Sequence, residues 1–172
     1  FGFNIGLDDI RIYESVPAVP GTVTSGVSGV CIGDSTTVTI AGNTGAIQWQ
    51  SSLTGLVGTW SNVVGATNAT LSTGALSDTI YYRAVVTNTD ACALSDTTSA
   101  VQVSAYPLPV QVLSDVVQCG GTVTLDAQNN GATYLWSDNS TNQTLAVTAS
   151  GSYDVLITSA LGCENRDTAV VT

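Results

Sequence analysis

The chain has 172 residues and a mass of 17.5 kDa, and its three arginines face thirteen acidic residues for a net charge of −10. So few cations cannot neutralise a phosphate backbone or build a cationic membrane-surface helix, which excludes nucleic acid as a partner and such a helix as a membrane anchor. Because the chain contains no histidine, it lacks the imidazole of most zinc sites and of every Ser-His or Cys-His nucleophile.

Residues 1–15 predict one β-strand, because their second half alternates apolar and polar side chains. A lone strand is not stable, so we predict the terminal strand of an upstream domain. With no initiator methionine and no signal segment, the chain is expected to be an internal piece of a longer protein. Asp8 and Asp9 are candidate calcium ligands, although a solvated strand edge is the simpler interpretation. Residues 16–21 contain two prolines and predict an extended linker.

An internal repeat follows, in which each copy has a cysteine, a tryptophan, a tyrosine and a second cysteine in the same order. The tryptophan lies 18 positions after the first cysteine in copy one and 17 in copy two, and the tyrosine lies 10 positions before the second cysteine in both. The predicted domains are residues 22–105 and 110–172, separated by a second proline linker at 106–109. The repeated residues are Cys31, Trp49, Tyr82 and Cys92, then Cys119, Trp136, Tyr153 and Cys163.

Short runs of period-two alternation separated by turn residues fill both copies, and no segment has helical periodicity. This pattern predicts an all-β fold of tandem immunoglobulin-like antiparallel β-sandwiches. Trp49 and Trp136 are expected in the core on strand C. Tyr82 and Tyr153 are expected in the core at the tyrosine corner of strand F.

These motifs resemble the immunoglobulin-like and PKD-like repeats of large Bacteroidota surface proteins, including gliding-type adhesins exported by the type IX secretion system. Residues 7–12 also resemble the last strand of a lectin-like jelly roll. The resemblance implies a secreted, cell-surface, multidomain protein whose modules act as spacers or adhesive elements. It further implies O-glycosylation at Asp-Ser/Thr tripeptides, and the chain has four such acceptors: Ser35, Thr79, Thr97 and Thr168.

The four cysteines predict disulfides, because a lysine-free, Thr-rich β chain without CxxC is typical of an oxidising compartment and not of a metal site. The positions that an immunoglobulin domain bridges are taken as Gly42, Ala84, Ala127 and Val155, and none of them is cysteine. The first cysteine of each copy precedes strand B and the second follows strand F, at opposite ends of a sandwich. A strand spans roughly 20 Å, whereas bridged Cα atoms lie within about 7 Å. A head-to-tail tandem instead favours Cys31–Cys163 between domains, with Cys31–Cys92 and Cys119–Cys163 as the alternative.

We predict a non-catalytic extracellular stalk or spacer of a large cell-surface, adhesin-like protein, with no cofactor. A serine hydrolase would lack its base, and neither glutamate lies beside a suitable aspartate for glycoside hydrolysis. The expected partners are neighbouring domains of the same chain or like subunits, with surface glycans as a further candidate. Two other functions remain open: a carbohydrate-binding module of a secreted enzyme, which would use an exposed Trp60, or a filament subunit that donates strand 1–15.

Overall fold

A computed structural model describes residues 17–89 and 93–172. Within these ranges the regular secondary structure consists of β-strands alone. The predicted strand 1–15 with Asp8 and Asp9, and also Cys92, lie outside the described residues. No helix able to span a membrane was found in the part of the chain that is described. The strands are β1 (Thr22–Ser25), β2 (Gly29–Cys31), β3 (Thr37–Ala41), β4 (Ala46–Ser52), β5 (Ser61–Asn62), β6 (Thr70–Ser72), β7 (Ile80–Thr87), β8 (Ser95–Thr97), β9 (Val101–Tyr106), β10 (Val123–Asp126), β11 (Thr133–Trp136), β12 (Thr144–Val147), β13 (Gly151–Thr158) and β14 (Glu164–Val171).

Contacts divide the chain into two compact units. Within the described residues, unit 1 comprises 17–27, Thr36–Thr73, 80–89 and 93–103, and unit 2 comprises Ser28–Ser35, Gly74–Thr79 and Ser104–Thr172. Unit 2 therefore takes in two short segments of the sequence predicted as the first sandwich, and the last three residues of β9.

Unit 1 contains two antiparallel sheets. One has the order β1-β3-β6, and in the other β7 pairs with β4, β8 and the first half of β9, while β5 pairs with the outer side of β4. Because successive side chains point to opposite faces of a sheet, alternate residues of β3, β4 and β7 form the core. The fully or almost fully buried ones are Val38, Ile40, Trp49, Tyr82, Ala84 and Val86.

Unit 2 contains the antiparallel sheets β10-β12 and β11-β13-β14. Both sheets contribute to one hydrophobic core, whose buried members include Leu125, Trp136, Leu145, Val155 and Ile157. Two pairings in this unit are parallel: β2 with the end of β9, and the bridge between Val116 and Val171. The segment before the first cysteine of each copy thus pairs parallel to the last strand of that copy.

The prediction of an all-β fold of immunoglobulin-like antiparallel sandwiches is confirmed. The strands β3, β4, β7 and β9 take the places of B, C, F and G in the first copy, and β10, β11, β13 and β14 do so in the second. The two parallel pairings differ from the purely antiparallel expectation. They are permitted because many residues separate the paired segments, so no tight turn has to join them.

Two local expectations differ from the structure. The sequence predicts Gly42 as a strand B position, but β3 ends at Ala41 and Gly42 is exposed. Its φ of 73° is a left-handed conformation that glycine adopts without strain. The buried strand B residues are Val38 and Ile40. In the proline-rich stretch 17–21, Val19 exchanges backbone hydrogen bonds with Thr44, so these residues join the fold of unit 1.

Candidate functional site

A disulfide joins Cys31 to Cys163, with 2.01 Å between the sulfurs and 5.6 Å between the Cα atoms. Cys31 ends β2, and the next residue, Ile32, donates its N–H to the carbonyl of Tyr106 at 2.8 Å. Cys163 is buried in the turn between β13 and β14, where its N–H donates to Ser159 Oγ at 3.1 Å. Both cysteines belong to unit 2, and their bond closes a loop with a sequence separation of 132.

Cys119 is exposed, and it carries the free thiol found within residues 17–89 and 93–172. It occupies the place of Cys31 in the second copy: Gln118 donates its N–H to the carbonyl of Thr172 at 2.8 Å. Because Cys163 is bonded to Cys31, the alternative pairs Cys31–Cys92 and Cys119–Cys163 are not formed.

The residues predicted as the second linker, 106–109, are held to unit 2 by side-chain amides. Asn129 accepts the N–H of Val110 and donates to its carbonyl, both at 2.8 Å, so that its amide replaces a strand partner. Asn165 donates to the carbonyl of Pro109 at 2.9 Å. The sequence alone does not distinguish these two residues, because nothing in their local pattern sets them apart from the chain's other asparagines.

Trp49 and Trp136 are 0% and 1% exposed, and each ring is held in the same manner. Trp49 Nε1 donates to the carbonyl of Asn68 and Trp136 Nε1 donates to the carbonyl of Asn142, both at 2.8 Å. A buried indole N–H needs such a partner. The repeat therefore includes the connection after strand C as well as the tryptophan itself.

The remaining aromatic residues are placed differently. Tyr82 is buried, and this burial raises the pKa of its hydroxyl. Tyr153 is half-buried against the core of unit 2, and its hydroxyl donates to the carbonyl of Ala149 at 2.8 Å, the bond expected of a tyrosine corner. Trp60 is half-buried, and the Arg83 guanidinium carbon lies 4.2 Å from its ring centre.

The acidic side chains whose pKa is shifted are engaged in turns. The side-chain amide of Gln143 lowers the pKa of Asp126, and the N–H of Gln128 lowers it further. The pKa of Asp138 is lowered by Ser140, whose backbone N–H donates to Asp138 Oδ1 at 2.9 Å. Among the described residues, no group of three Cys, Asp or Glu side chains is positioned to hold a metal ion. These carboxylates stabilise local backbone geometry in their ionised form.

The four candidate glycosylation hydroxyls have different surroundings. Ser35, Thr97 and Thr168 are exposed, and the Thr168 hydroxyl donates to Asp154 at 2.7 Å. Thr79 is half-buried and accepts the N–H of Ala105 at 3.1 Å. Thr79 is therefore the least accessible of the four acceptors.

Comparison with known proteins gives one matching family and several similar solved structures. A family model described as "Domain of unknown function (DUF8696)" matches residues 19–107, and no curated protein matches the chain. The chain is similar to the fibronectin(III)-like modules of Clostridium thermocellum CbhA, with a TM-score of 0.37 and 10% identity over 87% of this chain and 93% of that one. It is similar to murine CEACAM1b, with a TM-score of 0.38 and 13% identity over 88% and 98%.

A third similar structure is Bacteroides ovatus SGBP-B, in complex with a mixed-linkage heptasaccharide. The TM-score is 0.32 and the identity 13%, over 95% of this chain and 46% of that protein. The chain thus spans less than half the length of the Bacteroides protein.

Proposed function

We propose that this chain, which belongs to the DUF8696 family of domains of unknown function, is a non-catalytic extracellular spacer of a larger, adhesin-like cell-surface protein. The observation that carries the proposal is the Cys31–Cys163 disulfide. Cys31 lies inside the region that matches the family and Cys163 lies beyond it. The bond gives a pulling force a covalent path that bypasses the residues between them.

The location and partners that we propose follow from the same bond. Disulfides persist in oxidising compartments, which supports an extracellular position. Neighbouring domains of the same chain or like subunits are the proposed partners, and Cys119 is an exposed thiol through which one of them would be bonded. Export by the type IX system and strand donation by residues 1–15 stay predictions from the sequence.

A carbohydrate-binding module is the second candidate function, favoured by the half-buried Trp60 on the surface of unit 1. Affinity electrophoresis through gels that contain a neutral soluble β-glucan separates the two functions. A spacer is expected to migrate at the same rate with and without the polysaccharide. Retardation that disappears in Trp60→Ala, but persists in a matched Leu56→Ala variant, would establish the carbohydrate-binding module instead.

Glycosylation is proposed at the accessible tripeptides, with Ser35 and Thr97 occupied ahead of Thr79. The hydroxyl of Thr79 is half-buried and bonded to backbone, so a transferase would have to disrupt the fold to reach it. Intact-mass and peptide mass spectrometry of protein from the native source are expected to find glycan on Ser35 or Thr97, and Thr79→Ala is expected to leave the mass distribution unchanged except for the substitution. An intact mass equal to that of the bare polypeptide would contradict this proposal.

A further inference from the structure

A row of polar side chains crosses three strands on the outward face of unit 1. Arg83 on β7 is in register with Gln50 on β4, and Gln50 is in register with Asn62 on β5. Their neighbours Tyr82 and Trp49 are buried, and strand alternation therefore turns the row away from the core.

The hydrogen bonds within the row all run from Arg83 towards Asn62, each residue donating to the next. Arg83 Nε donates to Gln50 Oε1, and Gln50 Nε2 donates to Asn62 Oδ1, both at 2.9 Å. The terminal guanidinium nitrogens of Arg83 and the amide nitrogen of Asn62 then have no partner within the described residues. The two ends of the row therefore offer N–H donors, which suit a ligand that supplies hydrogen-bond acceptors.

The ring of Trp60 fixes the orientation of the donors. The guanidinium carbon of Arg83 lies 4.2 Å from the ring centre, which is within the range of a cation–π contact. The stacked ring and the bond to Gln50 together hold the planar guanidinium in one orientation. A preorganised guanidinium fork matches the two oxygens of a carboxylate.

The charge around the row favours an anion although the whole chain is acidic. Among the described residues of unit 1, Arg83 and Asp96 are the ones with charged side chains. Asp96 lies on β8 opposite Val86, three positions along β7 from Arg83, or roughly 10 Å along the strand. Arg83 has no ion-pair partner in this part of the chain, and its charge remains available to a ligand.

The second copy of the repeat lacks these features. Asp154 takes the place of Arg83, one residue after the repeated tyrosine, and its carboxylate accepts a hydrogen bond from Thr168. The segment that contains Trp60 is also missing from the second copy. The row is therefore a property of the first copy and is not required by the shared fold.

We propose that Arg83, Gln50, Asn62 and Trp60 form a binding site for an acidic saccharide, with the sugar carboxylate on the Arg83 fork. The amide of Asn62 donates to a neighbouring sugar oxygen, and the remaining exposed surface of Trp60 contacts the ring. Carboxylated sugars suit this site because they combine an anionic fork acceptor with hydroxyl oxygens a few ångströms away.

Isothermal titration calorimetry of the 172-residue chain with trigalacturonic acid tests the site, with its methyl ester as the uncharged matched ligand. The acid is expected to bind at least about tenfold more tightly than the ester, because the charge-assisted bidentate contact is lost on esterification. Arg83→Gln and Arg83→Lys are each expected to weaken binding at least about tenfold. Arg166→Gln, which makes the same charge change at an exposed arginine of unit 2, is expected to bind like the parent.

Circular dichroism verifies the fold of each variant, and Asn62→Asp tests the site should Arg83→Gln fail to fold. This exposed residue would then present a carboxylate to the ligand, and we expect at least a tenfold loss. Four results would overturn the proposal: no binding of the acid, equal binding of the ester, an equal loss in Arg166→Gln, or equally tight binding of trialanine. The last result would assign the fork to peptide carboxylates.

Discussion

Replacing Trp136 with alanine is expected to lower the free energy of unfolding of unit 2 by about 3–5 kcal/mol. The ring is 1% exposed and lies in the core cluster formed by both sheets of this unit. Its removal leaves a cavity, and it also leaves the carbonyl of Asn142 without the indole N–H that it accepts. Domains of this size have a free energy of unfolding of only about 5–15 kcal/mol. Unit 2 of the variant is therefore expected to be only marginally stable.

Urea denaturation and native-state hydrogen exchange measure this effect. Leu135→Ala is the matched control, because Leu135 is the preceding residue of β11, lies on the opposite face and is 47% exposed. It is expected to change stability by about 0.5 kcal/mol or less. The loss of stability in Trp136→Phe is expected to lie between those of Trp136→Ala and Leu135→Ala, since phenylalanine keeps most of the apolar volume. Equal stability of Trp136→Ala and Leu135→Ala would remove Trp136 from the core.

The fold was predictable because its strongest constraints are local. Period-two alternation identifies β7 and β13, and the position of a tryptophan after each first cysteine identifies strand C. The connection after strand C was less predictable, although both tryptophans bond to it, since a backbone carbonyl has no sequence signal. The parallel pairing of β2 with β9 was missed because it joins distant segments.

The sequence predicted the two bridged cysteines, because the direction of the strands determines the end of a sandwich at which each cysteine lies. The positions of Cys31 before strand B and of Cys163 after strand F were readable from their spacing to these strands. The row formed by Arg83, Gln50 and Asn62 was not, because its register depends on the length of the irregular connection between β4 and β5. Arg83 does carry one signal: it is the single arginine between residues 17 and 165 and lies at an outward position of a strand.

Reduction of the disulfide is expected to produce the second large effect, which appears when the chain is pulled from its two ends. In the oxidised chain the force passes from Cys31 directly to Cys163, so the residues between them cannot extend. Reduction releases a segment with a sequence separation of 132. At about 3.3–3.6 Å per residue, the fully extended chain should become roughly 430–480 Å longer.

Two cysteine variants separate the bridge from the free thiol. Cys163→Ser is expected to show the long extension without any reductant, because the Cys31–Cys163 bond cannot form. Cys119→Ser is expected to behave like the parent under both conditions, since this exposed thiol is not bonded in the structure. It also removes an exposed thiol that is able to exchange with the bridge.

Single-molecule force spectroscopy of the oxidised and reduced chain is therefore the most direct test of the spacer. A gain of roughly 430–480 Å is expected on reduction, from the 132-residue separation of the bridged cysteines. Equal extensions of the two forms would contradict it. A gain of only roughly 200–220 Å would match the 61-residue separation of Cys31 and Cys92, and it would replace the proposed bridge with one inside the first copy.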